Sequence, residues 1–230
     1  MRRALFAVAF AAAAVAGATL VLSPLRAKAP PLPDPDKPRA KAFVLTDHHD
    51  NKVFLSKFQG RIVVLEWCNV ECPFCRRHYE EGTFRKLYKK YKYGIPGEPD
   101  PTPAPRRRRK KRRKRQKVVW LAINSTHSGD VESNKKAAGE FKVPYPILDD
   151  HLGKVGRLYG ATHTPHVFIM APDGTIAYQG AVDNDPKGTK TPDHRINYLE
   201  EALKALLRGK EPETPKTKPY GCSIKYAKRR

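Results

Sequence analysis

The stretch from Arg61 to Cys75 constrains this chain more than any other. Arg61 to Trp67 (RIVVLEW) is a continuous apolar run broken by one acid. A run of that kind fits a strand buried on both faces, as in a parallel sheet. It leads into Cys72-Pro73-Phe74-Cys75, and the residues after Pro73 are helix formers as far as Tyr93, with Gly82 the sole breaker. The sequence therefore predicts a helix over Cys72–Tyr93 that begins at the cysteine turn. A thiol in that position meets the unpaired N–H groups and positive dipole end of a helix, which favour its thiolate. A second thiol three residues on can close a disulfide across the first turn. C-x-x-C at a strand-to-helix junction is a much stronger signal than C-x-x-C alone.

The chain has four cysteines, Cys68, Cys72, Cys75 and Cys222, and three of them fall within eight residues. A disulfide-stapled small domain spreads its cysteines out, so this clustering points to redox or metal chemistry.

The rest of the chain supplies a mixed α/β pattern. Phe43–Thr46 and Val53–Leu55 read as two short strands with a turn between them. Val118–Asn124 (VVWLAIN) is another buried strand, followed by a helix over Val131–Phe141, a strand over Tyr145–Leu148 and a short helix over Lys154–Tyr159. Val167–Met170 and Thr175–Tyr178 flank the turn Ala171-Pro172-Asp173-Gly174 as a hairpin. The last helix, Ile196–Leu207, is read with Ile196, Leu199, Leu203 and Leu206 on one face. This order predicts a central mixed sheet flanked by helices, with right-handed crossovers and an N-terminal β-hairpin.

Tails and an insertion surround that core. Arg2 and Arg3 precede an uncharged Ala-rich stretch, Ala4–Leu22, and Ala27-Lys28-Ala29 resembles a cleavage site. Residues 1–29 are read as a signal peptide or membrane anchor, which places the body outside the cytoplasm, in the periplasm or cell envelope. Residues 30–42 are a Pro-rich linker, 43–208 the domain, and 209–230 a Pro- and Lys-rich C-terminal tail carrying Cys222. Residues 94–117 form a low-complexity insertion expected to be disordered. The formal net charge is +22, and Arg106–Lys117 supplies eleven of those charges, with only Gln116 neutral. Such a run suits an anionic membrane surface or polymer. It carries no aromatic residue to stack on bases, and nucleic acid is not an expected partner.

The blocks VVLEWCNVECPFCRRHY, VVWLAIN, YPILDD, GKVGRLYGA, TPHVFIMAPDG and AYQGAVD together resemble the thioredoxin-like redoxin family, of the alkyl-hydroperoxide-reductase and thiol–disulfide oxidoreductase type, and KPYGCSIKY resembles the end of that branch. The resemblance covers Phe43–Leu207. It implies a thioredoxin fold and an extracytoplasmic thiol–disulfide oxidoreductase acting on protein thiols or disulfides, with an upstream electron donor or acceptor and no cofactor. Cys72 is then the attacking thiolate, Cys75 the resolving thiol, and Thr164-Pro165 a cis-proline turn facing them. Glu66 falls where thioredoxins place a buried acid, and under the sheet it would have a raised pKa and accept the proton of Cys75. Trp67, Phe74 and Thr164 would shape the substrate rim beside Pro165, and His78 and His166 would lie near the thiols. Relatives of this branch that lack the second cysteine of the turn point to Cys222 as an alternative resolving partner, so two pairings stand open: Cys72–Cys75, favoured, and Cys72–Cys222.

Two rival activities remain. A redoxin-type thiol peroxidase with an antioxidant role is one. The peroxiredoxin pattern P-x-x-x-T-x-x-C is missing, because Leu65 and Asn69 stand where Pro and Thr would be. The other is a copper chaperone. Cys68-x-x-x-Cys72-Pro73 is similar to the motif of Sco-type proteins, and His163 lies at a comparable offset before Pro172-Asp173-Gly174. Two thiolates and an imidazole, Cys68, Cys72 and His163, form a soft set suited to copper.

Overall fold

The computed structural model describes residues 37–98 and 116–228. Residues 1–29, read above as a signal peptide or membrane anchor, most of the linker and the basic run 106–115 lie outside the described residues. Among the described residues no helix is long and apolar enough to cross a membrane.

The apolar runs become the central strands. In chain order the elements are β1 (Val44–Asp47), β2 (Lys52–Phe54), β3 (Ile62–Trp67), α1 (Pro73–Glu80), α2 (Thr83–Tyr91), β4 (Val118–Asn124), α3 (Val131–Glu140), β5 (Ile147–Asp149), α4 (Lys154–Tyr159), β6 (His163–Thr164), β7 (His166–Met170), β8 (Ile176–Gly180), α5 (Tyr198–Leu207) and β9 (Cys222–Ser223). Seven strands form one mixed sheet in the order β2-β1-β5-β4-β3-β7-β8. β3, β4 and β5 run parallel, with Ile62 opposite Val118 and Trp67 opposite Ile123. β7 is antiparallel to β3 and β8 to β7. β3 and β4 are buried along their whole length, as expected of strands covered on both faces.

Strand alternation divides the core in two. Ile62 and Val64 face the layer built by α1, α2, α3 and α5, together with Cys72, Cys75, Tyr79 and Trp120. Val63, Leu65 and Trp67 face the opposite layer, with Phe43, Val155 and Phe168. The mixed sheet flanked by helices and the N-terminal hairpin are thus as the sequence predicts.

Three elements differ from their sequence reading. The helix expected over Cys72–Tyr93 is two helices, because Gly82 takes the left-handed conformation at φ +69° between them. The last helix starts at Tyr198: the Asn197 side chain accepts from the Glu200 amide and caps it. Ile196 therefore falls outside the helix and is exposed, and Leu199, Ala202, Leu203 and Leu207 make the buried face. The segment expected as a tail folds back over the domain. Thr217 N donates to the Gln179 carbonyl and Gln179 N to the Pro215 carbonyl, Ile224 N donates to the Thr162 carbonyl, and the Tyr226 hydroxyl donates to the Ala161 carbonyl. Cys222 and Ser223 pair antiparallel with Thr164 and His163.

Candidate active site

Cys72 is the N-cap of α1, with Pro73 opening the first turn. Pro at that position loses no hydrogen bond, and its fixed φ suits the helix start. The Thr164–Pro165 peptide bond is cis. The Thr164 carbonyl oxygen lies 2.9 Å from the Cys72 Sγ and accepts from it while that thiol is protonated. Two further cysteines stand by this turn: Cys75 follows three residues on in α1, and Cys222 lies opposite Thr164 in the β6–β9 ladder.

The three sulfurs are electrostatically unlike. The Cys75 hydrogen bond holds the Cys72 thiol well below the ordinary thiol range; burial opposes this, and contacts from Cys222 and Thr164 reinforce it. Burial pushes Cys75 well above that range, and its bond to Cys72 adds to the rise. Cys222 is raised to about 11 by burial and by its contact with Cys72. One sulfur is thus poised as a thiolate and stabilised by two neutral thiols. Cys72 is 2% exposed and Cys75 fully buried, whereas Cys222 is only partly buried.

Gly221 completes the turn from the other side. It sits at φ +112°, and a Cβ there would fall 2.2 Å from the Thr164 carbonyl oxygen and 3.2 Å from Pro165 Cδ. Only glycine lets the C-terminal segment approach the cis-proline turn this closely.

Glu66 lies fully buried on the thiol side of the sheet. The Tyr79 hydroxyl donates to its Oε1 at 2.6 Å, and Trp120 Nε1 and the Tyr145 hydroxyl donate to Oε2 at 2.6 and 3.1 Å. Burial raises its pKa to about 7 despite those three donors. Its three aromatic partners were not singled out in the sequence; strand parity links Glu66 to Trp120, but nothing local marks the two tyrosines. Cys68 lies next to this carboxyl, buried, with its thiol pushed upward by burial and by Glu66.

A second polar cluster ties the C-terminal segment to α1. The Tyr220 hydroxyl donates to Asp183 Oδ1 at 2.6 Å and lies 2.8 Å from His78 Nε2. Arg77 donates to the Asp185 carbonyl at 2.8 Å and reaches the Tyr220 hydroxyl at 3.4 Å. Burial, with the Arg77 and Arg195 charges, lowers His78 to about 3 and keeps it neutral. His78 therefore anchors Tyr220 and does not tune a thiol. Tyr220 was missed in the sequence, although KPYGCSIKY contains it.

Other expectations are corrected. Trp67 is fully buried on the face away from the thiols, against Tyr159 and Phe168, with its Nε1 donating to Ser125 Oγ. It offers no rim. Thr164 is buried, with its carbonyl facing Cys72 and its side chain helping to lower that thiol. Phe74 is partly buried, 6.1 Å from the Tyr220 ring, and is the one expected rim side chain at the surface beside Cys72. His166 is buried on the Phe168 side and lowered to about 4 by burial. Among the described residues no group of three or more His, Cys, Asp and Glu side chains is placed to hold a metal ion. Cys68, Cys72 and His163 are not gathered as a copper set: His163 Nδ1 lies 2.9 Å from Thr162 Oγ1, while Cys68 lies beside Glu66.

The sheet, its flanking helices and the cysteine turn facing a cis-proline make a thioredoxin-like fold. Its backbone matches a hypothetical protein from Sinorhizobium meliloti with TM-score 0.64 and 23% identity, covering 83% of this chain and 94% of that one. An uncharacterized conserved protein from Geobacillus kaustophilus matches with TM-score 0.64 and 27% identity, over 84% and 93% of the two chains. In sequence the chain is similar to two proteins named as thiol–disulfide oxidoreductases. The proteins named thiol-disulfide oxidoreductase ResA from Bacillus thuringiensis and Bacillus cereus are each 23% identical to it over 160 residues, 70% of this chain and 74% of theirs. No protein-family model matches the chain.

Proposed function

We propose that this protein is a thiol–disulfide oxidoreductase that works outside the cytoplasm on protein thiols or disulfides, with Cys72 as nucleophile and Cys75 as resolving thiol. The observation that carries this reading is the Cys72 sulfur, held at a helix N-terminus against the Thr164–cis-Pro165 turn, with Cys75 three residues on in the same helix. Cys72 attacks a substrate disulfide and expels one substrate sulfur as thiolate. Cys75, once deprotonated, attacks the Cys72 sulfur of the mixed disulfide, releases the second substrate thiolate and leaves Cys72–Cys75 oxidised. The reverse sequence oxidises a substrate dithiol. Glu66 takes up the Cys75 proton, a role suited to a buried carboxyl with a pKa of about 7.

In this reading residues 1–29 export or anchor the chain, residues 43–208 form the working domain, and the basic run 106–117 meets an anionic surface. The test is reduction of insulin disulfides by a dithiol-driven assay. Wild type is active and Cys72→Ser is inactive; a Cys72→Ser protein with wild-type rate would remove the reading. Peroxide consumption in the same thiol supply would favour the peroxidase alternative.

A further inference from the structure

The proposed nucleophile is itself shielded. Cys72 is 2% exposed and Cys75 is fully buried behind it. Of the four cysteines, only Cys222 is not buried. It is not a loose tail residue. Tyr220, two positions earlier, is fixed by Asp183 and His78. Gly221 presses on the Thr164 carbonyl and Pro165. Thr217 is fixed by its Oγ1, which accepts from the Ala181 amide at 2.9 Å, and Tyr226 by its bond to Ala161. These anchors on both sides deliver Cys222 opposite Thr164, the residue whose carbonyl oxygen lies 2.9 Å from the Cys72 sulfur. A solvent-borne thiol or disulfide therefore meets Cys222 before it can meet Cys72.

We propose that Cys222 is a third redox thiol that carries the exchange with external protein thiols, through a Cys72–Cys222 disulfide that stands between the buried Cys72–Cys75 pair and the substrate. The proposal rests on Cys72 being the nucleophile of the buried pair, and it routes the exchange with protein substrates through Cys222 in place of direct attack by Cys72. In the oxidising direction, the Cys222 thiolate attacks the Cys72 sulfur of the Cys72–Cys75 disulfide, and Cys75 leaves and takes up a proton. An external thiolate then attacks the Cys222 sulfur. The new bond joins Cys222 to the substrate, and Cys72 leaves as thiolate. A second substrate thiolate attacks the substrate sulfur of that mixed disulfide, and Cys222 leaves and is protonated. Two electrons pass from two substrate thiols to the protein disulfide, and the reverse sequence reduces a substrate disulfide. Attack at Cys222 is favoured twice: its sulfur is the accessible one, and Cys72, the more acidic thiol, is the better leaving group. Tyr220 and Gly221 are positioning residues for this step.

The test uses the full-length chain. Oxidised wild type and oxidised Cys75→Ala are treated with thionitrobenzoate, free thiols are blocked with N-ethylmaleimide, and the peptides are read by mass spectrometry. The proposal expects thionitrobenzoate on the Cys222 peptide and maleimide on Cys72 in both proteins. Thionitrobenzoate on Cys72 with maleimide on Cys222 would overturn it, as would failure of Cys75→Ala to form a Cys72–Cys222 disulfide. A second arm follows exchange with a reduced protein dithiol, where Cys222→Ser is expected to slow the rate by about tenfold or more. An unchanged rate in Cys222→Ser, with Cys72→Ser inactive, would sink the third-thiol role and leave the oxidoreductase reading standing. Full exchange in Cys72→Ser would sink that reading itself.

Discussion

Thr164 and Cys222 stand opposite one another in the β6–β9 ladder, and the Thr164 carbonyl oxygen lies 2.9 Å from the Cys72 sulfur. One residue thus joins the cysteine turn, the cis-proline turn and the C-terminal segment. The arrangement depends on close approach at Gly221, where a Cβ would fall 2.2 Å from the Thr164 oxygen. Gly221→Ala is expected to lift residues 217–226 and to cost about 1–3 kcal/mol through backbone strain. Hydrogen exchange checks this: protection should fall in that segment and persist in β3 and β4. Unchanged protection at 217–226 would contradict the packing argument.

Tyr220 is the anchor on the other side of Gly221. Tyr220→Phe removes one of the two donors to Asp183 Oδ1, the other being the Asp185 amide, and the contact to His78, both residues buried. Leaving buried polar groups unsatisfied costs about 1–3 kcal/mol. Urea unfolding should show that loss, and alkylation of Cys222 should quicken. A variant as stable as wild type with unchanged Cys222 reactivity would show that the hydroxyl anchors nothing.

Glu66 gives a pH signature. Its folded pKa is raised to about 7 from an ordinary carboxyl value of 4.5, chiefly by burial. The folded state then holds the proton more tightly than the unfolded chain. Its contribution to stability falls as pH rises from 4.5 through 7 and is flat above, by about 3 kcal/mol in all. Glu66→Gln removes this titration. The difference between wild-type and variant unfolding free energies should therefore shift toward wild type as pH falls from 8 to 5. Parallel curves for the two proteins would show that Glu66 keeps an ordinary pKa.

Trp67 and Phe74 separate core from rim. Trp67→Ala empties a fully buried position and is expected to cost about 3–5 kcal/mol. Phe74→Ala, at a partly buried position next to Tyr220, should leave most of the stability intact and slow exchange with protein substrates more than with a small disulfide. Equal slowing for both substrate sizes would remove Phe74 from the rim.

Much of this was legible in the residues. RIVVLEW and VVWLAIN form the paired central strands because continuous apolar runs have no exposed face to supply. The turn at Cys72 sits at a helix N-terminus because Pro73 can only open a helix. What failed has physical causes. Trp67 was placed on the rim by its closeness to Cys72 along the chain, whereas strand alternation sends Val63, Leu65 and Trp67 to the far face. The helix break at Gly82 and the late start at Asn197 are decided by one left-handed residue and one side-chain cap. The last twenty residues look like a tail because their prolines and lysines carry no period. Their docking is made by isolated anchors, Thr217, Tyr220, Gly221 and Tyr226, which no local pattern reveals.

The central claim is that Cys72 is a stable thiolate while its neighbours stay protonated. The most direct test follows the ultraviolet thiolate absorbance of the fully reduced protein against pH and subtracts the same curve for Cys72→Ser. The account predicts that one thiolate titrates with a midpoint well below the free-thiol value of about 8.5, and that it is missing from the variant. A difference curve with no transition below pH 8 would contradict it.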